Sequence, residues 1–561
     1  MNKVSWLLLV WLPCSSLNCF FEEHNPHLEI YQNLQKGDLE KSIDMYLENR
    51  KLNKKHDPLL IQRIAETILK NSLKDKNNNI KLNGVLGIQA GLVYRDFIHN
   101  LSAIFPQSDI ATQMAILQMS SQTQDESFNP VLIKALSVPI LSINLEALFQ
   151  LCLKKNVKSI GYLNSLMHKL PRNAYYLFPV FFLTLGDKEA TMQLKKLANE
   201  PYLPTRIETI IQSAQFGKTE ILPTIRAHLS HTNPAEQEAC AFSLGVLKDC
   251  DSIKKLKKLV SSKDESIKLS ALEALNRLGD YEHLSLIRNM AEGKNLFAFH
   301  LLSEDSEDLK ILENFLLDTD WQVQINACLA LIDKCPEKCE STIEKILLRD
   351  SRDAAFIPVY SPGKTLSYWK AIYSSAQQQK FYDYSLSSAS LTFKEKILHT
   401  LADSSEKSFL RICENIFKSN QTELVPTCIR LLEAKRSAGS IELIGAMSQK
   451  AGAPLTRHFC HLAAFRLRLP NDHEKYLTEW VEENKYFPLG QVKQKASMNP
   501  PLSHTRFNLT SDEKTLLFLE ILEALVSFRK IETLDWLLKI LKEGHLQNRP
   551  LIAGLLIKSL E

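Results

Sequence analysis

The stretch DESIKLSALEALNRLGD, Asp264 to Asp280, decides the fold of this 561-residue chain. Its apolar positions are Ile267, Ala271, Ala274, Leu275 and Leu278. That spacing lays one apolar stripe along an α-helix. Asp264 is the predicted N-cap, because its carboxylate can accept from the free N–H groups of the first turn. Gly279 is the predicted C-cap, because glycine enters the left-handed conformation without a Cβ clash. Asp280 then opens a second helix whose face is Leu284, Ile287 and Met290 or Ala291. Two short helices with one stripe each cannot bury that surface alone, so they need neighbours.

The neighbours are in the same chain. Gly279, Lys248, Gly217 and Gly186 stand thirty-one residues apart. The second-helix positions keep that phase: Leu194, Ile225, Leu256 and Ile287 form one series, and Thr191, Leu222, Ile253 and Leu284 another. Phe216, Leu247 and Leu278 match in the first helices, and Ile160, Leu163, Leu166 and Asp109 extend the phase backwards. A fixed period in this range signals a solenoid. The register then slips, but DTDWQVQINACLALIDKC (Asp318 to Cys335) repeats the opening pattern. APLTRHFCHLAAFRLRLP (Ala453 to Pro470) and LEILEALVSFRKIETLDWLLKIL (Leu519 to Leu541) give further copies.

The pattern Asp-x-x-Ile/Val, Ala-Leu-x-Ala-Leu, Leu-Gly-Asp and a second helix resembles the HEAT repeat, closest to the bacterial variety of phycobilin lyases. The clear copies lie at 234–290 and 318–345, with fainter ones at 186–230, 440–470 and 510–545. The resemblance implies an all-α fold, a right-handed α-solenoid of antiparallel helix pairs wound into an elongated superhelix. It implies little about function, because such repeats are mostly scaffolds and only a few members are enzymes. Composition agrees. Glycine is scarce, 17 of 561 residues, against a usual level of about 7%. A net charge of +4 makes no global case for nucleic-acid binding.

The expected organisation is a signal peptide at 1–19, an N-terminal solenoid at 20–350, a non-repeat insertion at 351–395 and a C-terminal solenoid at 396–561, with a long loop near 484–512. Lys3, the apolar run Val4–Leu12 and the small and polar residues after it follow the layout of an export signal. The run is short for a transmembrane helix. Neither Cys14 nor Cys19 has the flanking residues of a lipidation site. The apolar segment AYYLFPVFFLTL (Ala174 to Leu185) is also too short to span a membrane and reads as a buried core helix. Nine cysteines follow the signal at scattered spacing, which is no disulfide framework. Cys152, Cys240 and Cys328 fall on apolar faces. Cys335 and Cys339 are close and read as exposed, either as a local disulfide or as two free thiols.

No catalytic constellation, cofactor fingerprint or metal-ligand pattern stands out, so none is assigned. The densest group of ligand types is His458, Cys460 and His461; His228 with His231 is weaker. One surface pattern rises above the background. The thirty-one-residue phase puts Lys195, Arg226, Lys257 and Arg288 at one position of four successive second helices. The resemblance places second helices on the concave side, so these four are candidate partner-binding residues for an acidic protein surface. The favoured function is an exported (periplasmic, cell-envelope or secreted), non-enzymatic interaction scaffold. One alternative is a lyase-chaperone-type protein that holds a small molecule, with Cys250 and His283 as candidates. Another is an adaptor held at the membrane by a lipidated N-terminus or an uncleaved N-terminal signal. No nucleic-acid partner is expected.

Overall fold

The computed structural model describes residues 26–122, 126–349, 384–419, 422–489, 509, 511–528 and 530–560. The expected signal peptide, most of the 351–395 insertion and residues 490–508 of the expected loop lie outside them. Among the described residues every regular element is helical and there is no strand. No helix among them is long and apolar enough to cross a membrane. The chain forms two compact units.

The larger unit comprises Arg95–Asn484 and Gly490–Leu525. Its repeat is visible in the backbone. Lys155, Gly186, Gly217, Lys248 and Gly279 are spaced by thirty-one residues and all turn left-handed, with φ of 53°, 72°, 68°, 55° and 81°. After four of them the next residue's N–H closes the helix end. Asn156 N donates to Leu151 O (3.0 Å), Lys218 to Ser213 (2.9 Å), Asp249 to Leu244 (3.0 Å) and Asp280 to Leu275 (2.9 Å). This six-to-one bond satisfies a carbonyl that the helix leaves open. The N-caps recur as well. Asp264 accepts from Ser266 N and Ile267 N, Asp187 from Ala190 N, and Asp109 from Thr112 N.

First and second helices bury their surfaces differently. The first helices Pro234–Val246, Glu265–Arg277 and Pro454–Arg466 are buried almost all round. Leu203–Gln215, Pro234–Val246 and Glu265–Arg277 pack directly on one another, more closely than the second helices beside them do. Small residues permit this: a Cβ on Gly245 would stand 2.5 Å from Ala274 Cα. The second helices bury one stripe. Leu194, Ile225, Leu256 and Ile287 are 0–1% exposed, while Thr191, Leu222, Ile253 and Leu284 are half-buried. The segment expected as a core helix is one: Pro179–Leu185 buries Phe181, Phe182, Leu183 and Leu185.

The smaller unit joins Met1–Tyr94, Lys485–Leu489 and Val526–Glu561. Helices that the sequence places in separate solenoids therefore share one core. Arg549–Leu560 packs on both Pro58–Leu73 and Asn78–Ala90. It is apolar on every side, and Pro550–Ile557 are all buried, as a helix surrounded by others should be. Asn83 Nδ2 donates to Gln547 O (2.8 Å) and Leu489 O (3.2 Å), while Arg549 pairs with Glu40 (3.0 Å). In a simple linear stack each repeat touches only its neighbours. The expected copy at 510–545 is divided, because Ser511–Leu525 belongs to the larger unit and Ile531–Glu543 to the smaller.

Candidate functional site

The four candidate bases stand on successive second helices, and three of them are paired. Arg226 Nε donates to Asp249 Oδ2 (2.9 Å), and its Nη2 reaches Asp249 Oδ1 and Asp251 (2.8 Å). Lys257 pairs with Asp280 (2.8 Å) and Glu282 (2.6 Å). Arg288 pairs with Asp305 and Glu307 (both 2.8 Å) and with Asp308. Each acid stands at the start of the following repeat's second helix, so the file links repeat to repeat. Lys195 is exposed; Lys218 stands where its acid would be, and no ion pair of Lys195 occurs among the described residues.

The electrostatics follow the pairing. The Arg226 guanidinium holds Asp249 below the usual carboxylate range. Burial pushes Asp308 up, but Ser303 and Arg288 outweigh it and the net shift is down. Asp280, then Glu282, push Lys257 up to about 12. Three of the four bases are thus charge-compensated where they stand. Uncompensated charge lies beside them on Lys254, Lys255 and Lys258, which are exposed and make no ion pair among the described residues.

A second cluster lies where the helix Leu222–His228 turns into Pro234–Val246. Glu236, 1% exposed, receives Arg206 Nε (2.8 Å) and Nη2 (3.2 Å). His228 Nδ1 lies 2.5 Å from its Oε1, and His231 Nδ1 lies 3.1 Å from its Oε2. Burial raises the Glu236 carboxyl, but Arg206, His228 and His231 more than reverse this and hold it at about 2. His228 and His231 gave a weak signal in sequence. Arg206 comes from the preceding repeat, thirty residues away, and could be found only by folding the chain.

The His458, Cys460 and His461 group divides. Cys460 turns into the core, where burial pushes its thiol up. His461 instead meets His473 from the next helix, Nδ1 to Nδ1 at 2.9 Å, and stacks on Tyr476 at 3.7 Å. His458 bonds the Tyr476 hydroxyl (2.8 Å). Burial, then the neighbouring ring, hold His458 and His461 at about 4, and burial lowers His473. The rings are held neutral, and the pair shares one N–H···N bond.

The remaining candidates stay apart. Cys339 is buried and turns to Cys328, its Sγ 3.7 Å from Cys328 O, which corrects the exposed reading of Cys339, while Cys335 is half-buried. Burial also pushes the Cys152 thiol up to about 12. Cys250 is exposed at one repeat corner and His283 sits at the next. The smaller unit contains a cleft of about 340 Å³ lined by Leu34, Ile68, Leu546 and Pro550, with Asp75 and Arg549 as charged lining residues.

No protein-family model matches the chain. No curated protein matches it. Among solved structures it is similar to the crystal structure of an engineered protein, at 14% identity over 74% of this chain and 99% of the other. The TM-score of 0.18 is too low to carry an argument about fold.

Proposed function

We propose that this chain is an exported, non-enzymatic scaffold that binds a partner protein, built as a right-handed superhelix of antiparallel HEAT-like helix pairs. The observation that carries the reading is the cross-repeat file Arg226–Asp249, Lys257–Asp280 and Arg288–Asp308 over continuously packed first helices. Repeats tied in this way offer one stiff surface, and a preorganised surface binds with less ordering cost. Export rests on the Lys3, Val4–Leu12 layout.

The reading takes the first-helix layer as the inner one, because the inside of a curved stack is where helices approach most closely. That moves the basic file to the outer face, against the expectation from the resemblance. Lys195, with Lys254, Lys255 and Lys258, then supplies the open charge for an acidic partner surface, and Arg226, Lys257 and Arg288 hold the repeats in register beneath it. The cleft of the smaller unit favours a second reading, a holder of a small molecule.

One experiment separates the two. The chain is cross-linked in its native host, and a captured protein is then purified and bound to the purified chain at graded salt. Stoichiometric binding that weakens with salt and with Lys254→Gln/Lys255→Gln/Lys258→Gln supports the scaffold. A small molecule retained in native mass spectrometry, with no reconstituted protein complex, overturns it.

A further inference from the structure

The turn between the helices Leu222–His228 and Pro234–Val246 brings two imidazoles and a buried carboxylate together. Asn199 Nδ2 donates to Lys195 O (2.7 Å), so its Oδ1 faces His228 Nε2 at 3.1 Å. A carboxamide oxygen only accepts, so Nε2 carries a proton and donates to it. In a neutral imidazole the other nitrogen then bears a lone pair. His228 Nδ1 is the nitrogen that faces Glu236 Oε1, 2.5 Å away. A proton or a metal cation can hold these two atoms together, and His231 Nδ1 stands at the same carboxylate, 3.1 Å from its Oε2.

We propose that the cation is a divalent transition metal of the zinc class, bound by Nδ1 of His228, Nδ1 of His231 and the Glu236 carboxylate. These donor atoms all lie within 4.8 Å of one another. Imidazole and carboxylate are donors zinc accepts, with bonds of about 2.0–2.2 Å. A tetrahedral site with such bonds sets its ligand atoms about 3.3 Å apart. The His231–Glu236 contact of 3.1 Å is close to that already. The His228–Glu236 contact opens by less than about 1 Å to reach it.

Two features fit a metal in particular. Asn199 makes the outer bond that metal-bound histidines characteristically make through their second nitrogen, which fixes the tautomer. The His231 side chain is 47% exposed, which provides a path for the ion and a fourth position for water. Arg206 orients the carboxylate through both its oxygens. Its positive charge also repels a bound cation, so binding is weaker than at a site of anionic ligands. The competing occupant of the same gap is a proton.

The test uses the full chain stripped of metal, titrated with Zn²⁺ by calorimetry and with Co²⁺ by visible absorbance. The expected result is one equivalent bound, with the intense absorbance of tetrahedral cobalt. His231→Ala, at an exposed ring, removes that step while circular dichroism shows the helices intact. Asn199→Ala weakens Zn²⁺ binding by about 10- to 100-fold. Absence of a stoichiometric step in the unmodified chain, or an undiminished step in His231→Ala, assigns the gap to a proton and overturns the proposal.

Discussion

Gly87 and Gly554 meet so closely that a Cβ on Gly554 would stand 1.9 Å from the Gly87 carbonyl oxygen. A Cβ on Gly87 would stand 2.2 Å from Pro550 O. Residues near the two ends of the sequence are thus in backbone contact, and neither position has room for a side chain. Gly554→Ala should therefore force the helices apart and destabilise the smaller unit by about 3 kcal/mol or more. Gly445→Ala is the control, since nothing lies within 4 Å of a Cβ there. In a helix that change should stabilise by about 0.5–1 kcal/mol. Denaturant unfolding, with limited proteolysis of the C-terminal helix, measures both.

The left-handed positions predict a pair of opposite effects. Gly279 (φ 81°) has open space around it, so Gly279→Ala meets only backbone strain and should destabilise by about 1–2 kcal/mol. Lys248 adopts the same conformation with a side chain (φ 55°). Lys248→Gly should relieve that strain and stabilise by about 1 kcal/mol. Two changes of the same sign in thermal unfolding would show that the positions are not equivalent.

The paired file should carry stability unevenly. Asp308 is fully buried and accepts from Ser303 N (2.8 Å), Ser303 Oγ (2.6 Å) and Arg288. Asp308→Ala leaves those donors unmatched and should destabilise on the order of 2–3 kcal/mol. Lys195→Gln, at an exposed position, should change stability by less than about 0.5 kcal/mol. Chemical denaturation of the two variants ranks them, and equal effects would refute the structural role of the file.

Acid should destabilise the larger unit over two pH ranges. Burial holds His461 at about 4 against an ordinary 6.5, so the fold favours the neutral ring. Its contribution is complete above 6.5 and is lost as pH falls from 6.5 to about 4, where only the unfolded chain takes up the proton. Glu236 is held at about 2 against an ordinary 4.5, so the fold favours the carboxylate. Its contribution is complete above 4.5 and is lost as pH falls towards 2. Melting temperature against pH should show both declines, and His461→Leu/His473→Leu should shrink the upper one, part of which His458 retains, and leave the lower one in place.

The sequence by itself determined what depends on residues a few positions apart. The caps at Asp264 and Gly279, the stripe Leu194, Ile225, Leu256 and Ile287, and the thirty-one-residue period were all legible, because capping and helix faces are local physics. The acids of the file were legible too: Asp249 and Asp280, like Asp251 and Glu282, keep the same phase as Arg226 and Lys257. Tertiary structure alone decided that those bases and acids close on one another, that His473 rather than Cys460 joins His461, and that Arg206 meets Glu236. It also decided that Arg549–Leu560 lies against Asn78–Ala90. The apolar character of that last helix called for burial on every side, but the hydrophobic effect is non-directional. It demands cover without naming it, and the cover that formed is a close helix approach that two facing glycines allow.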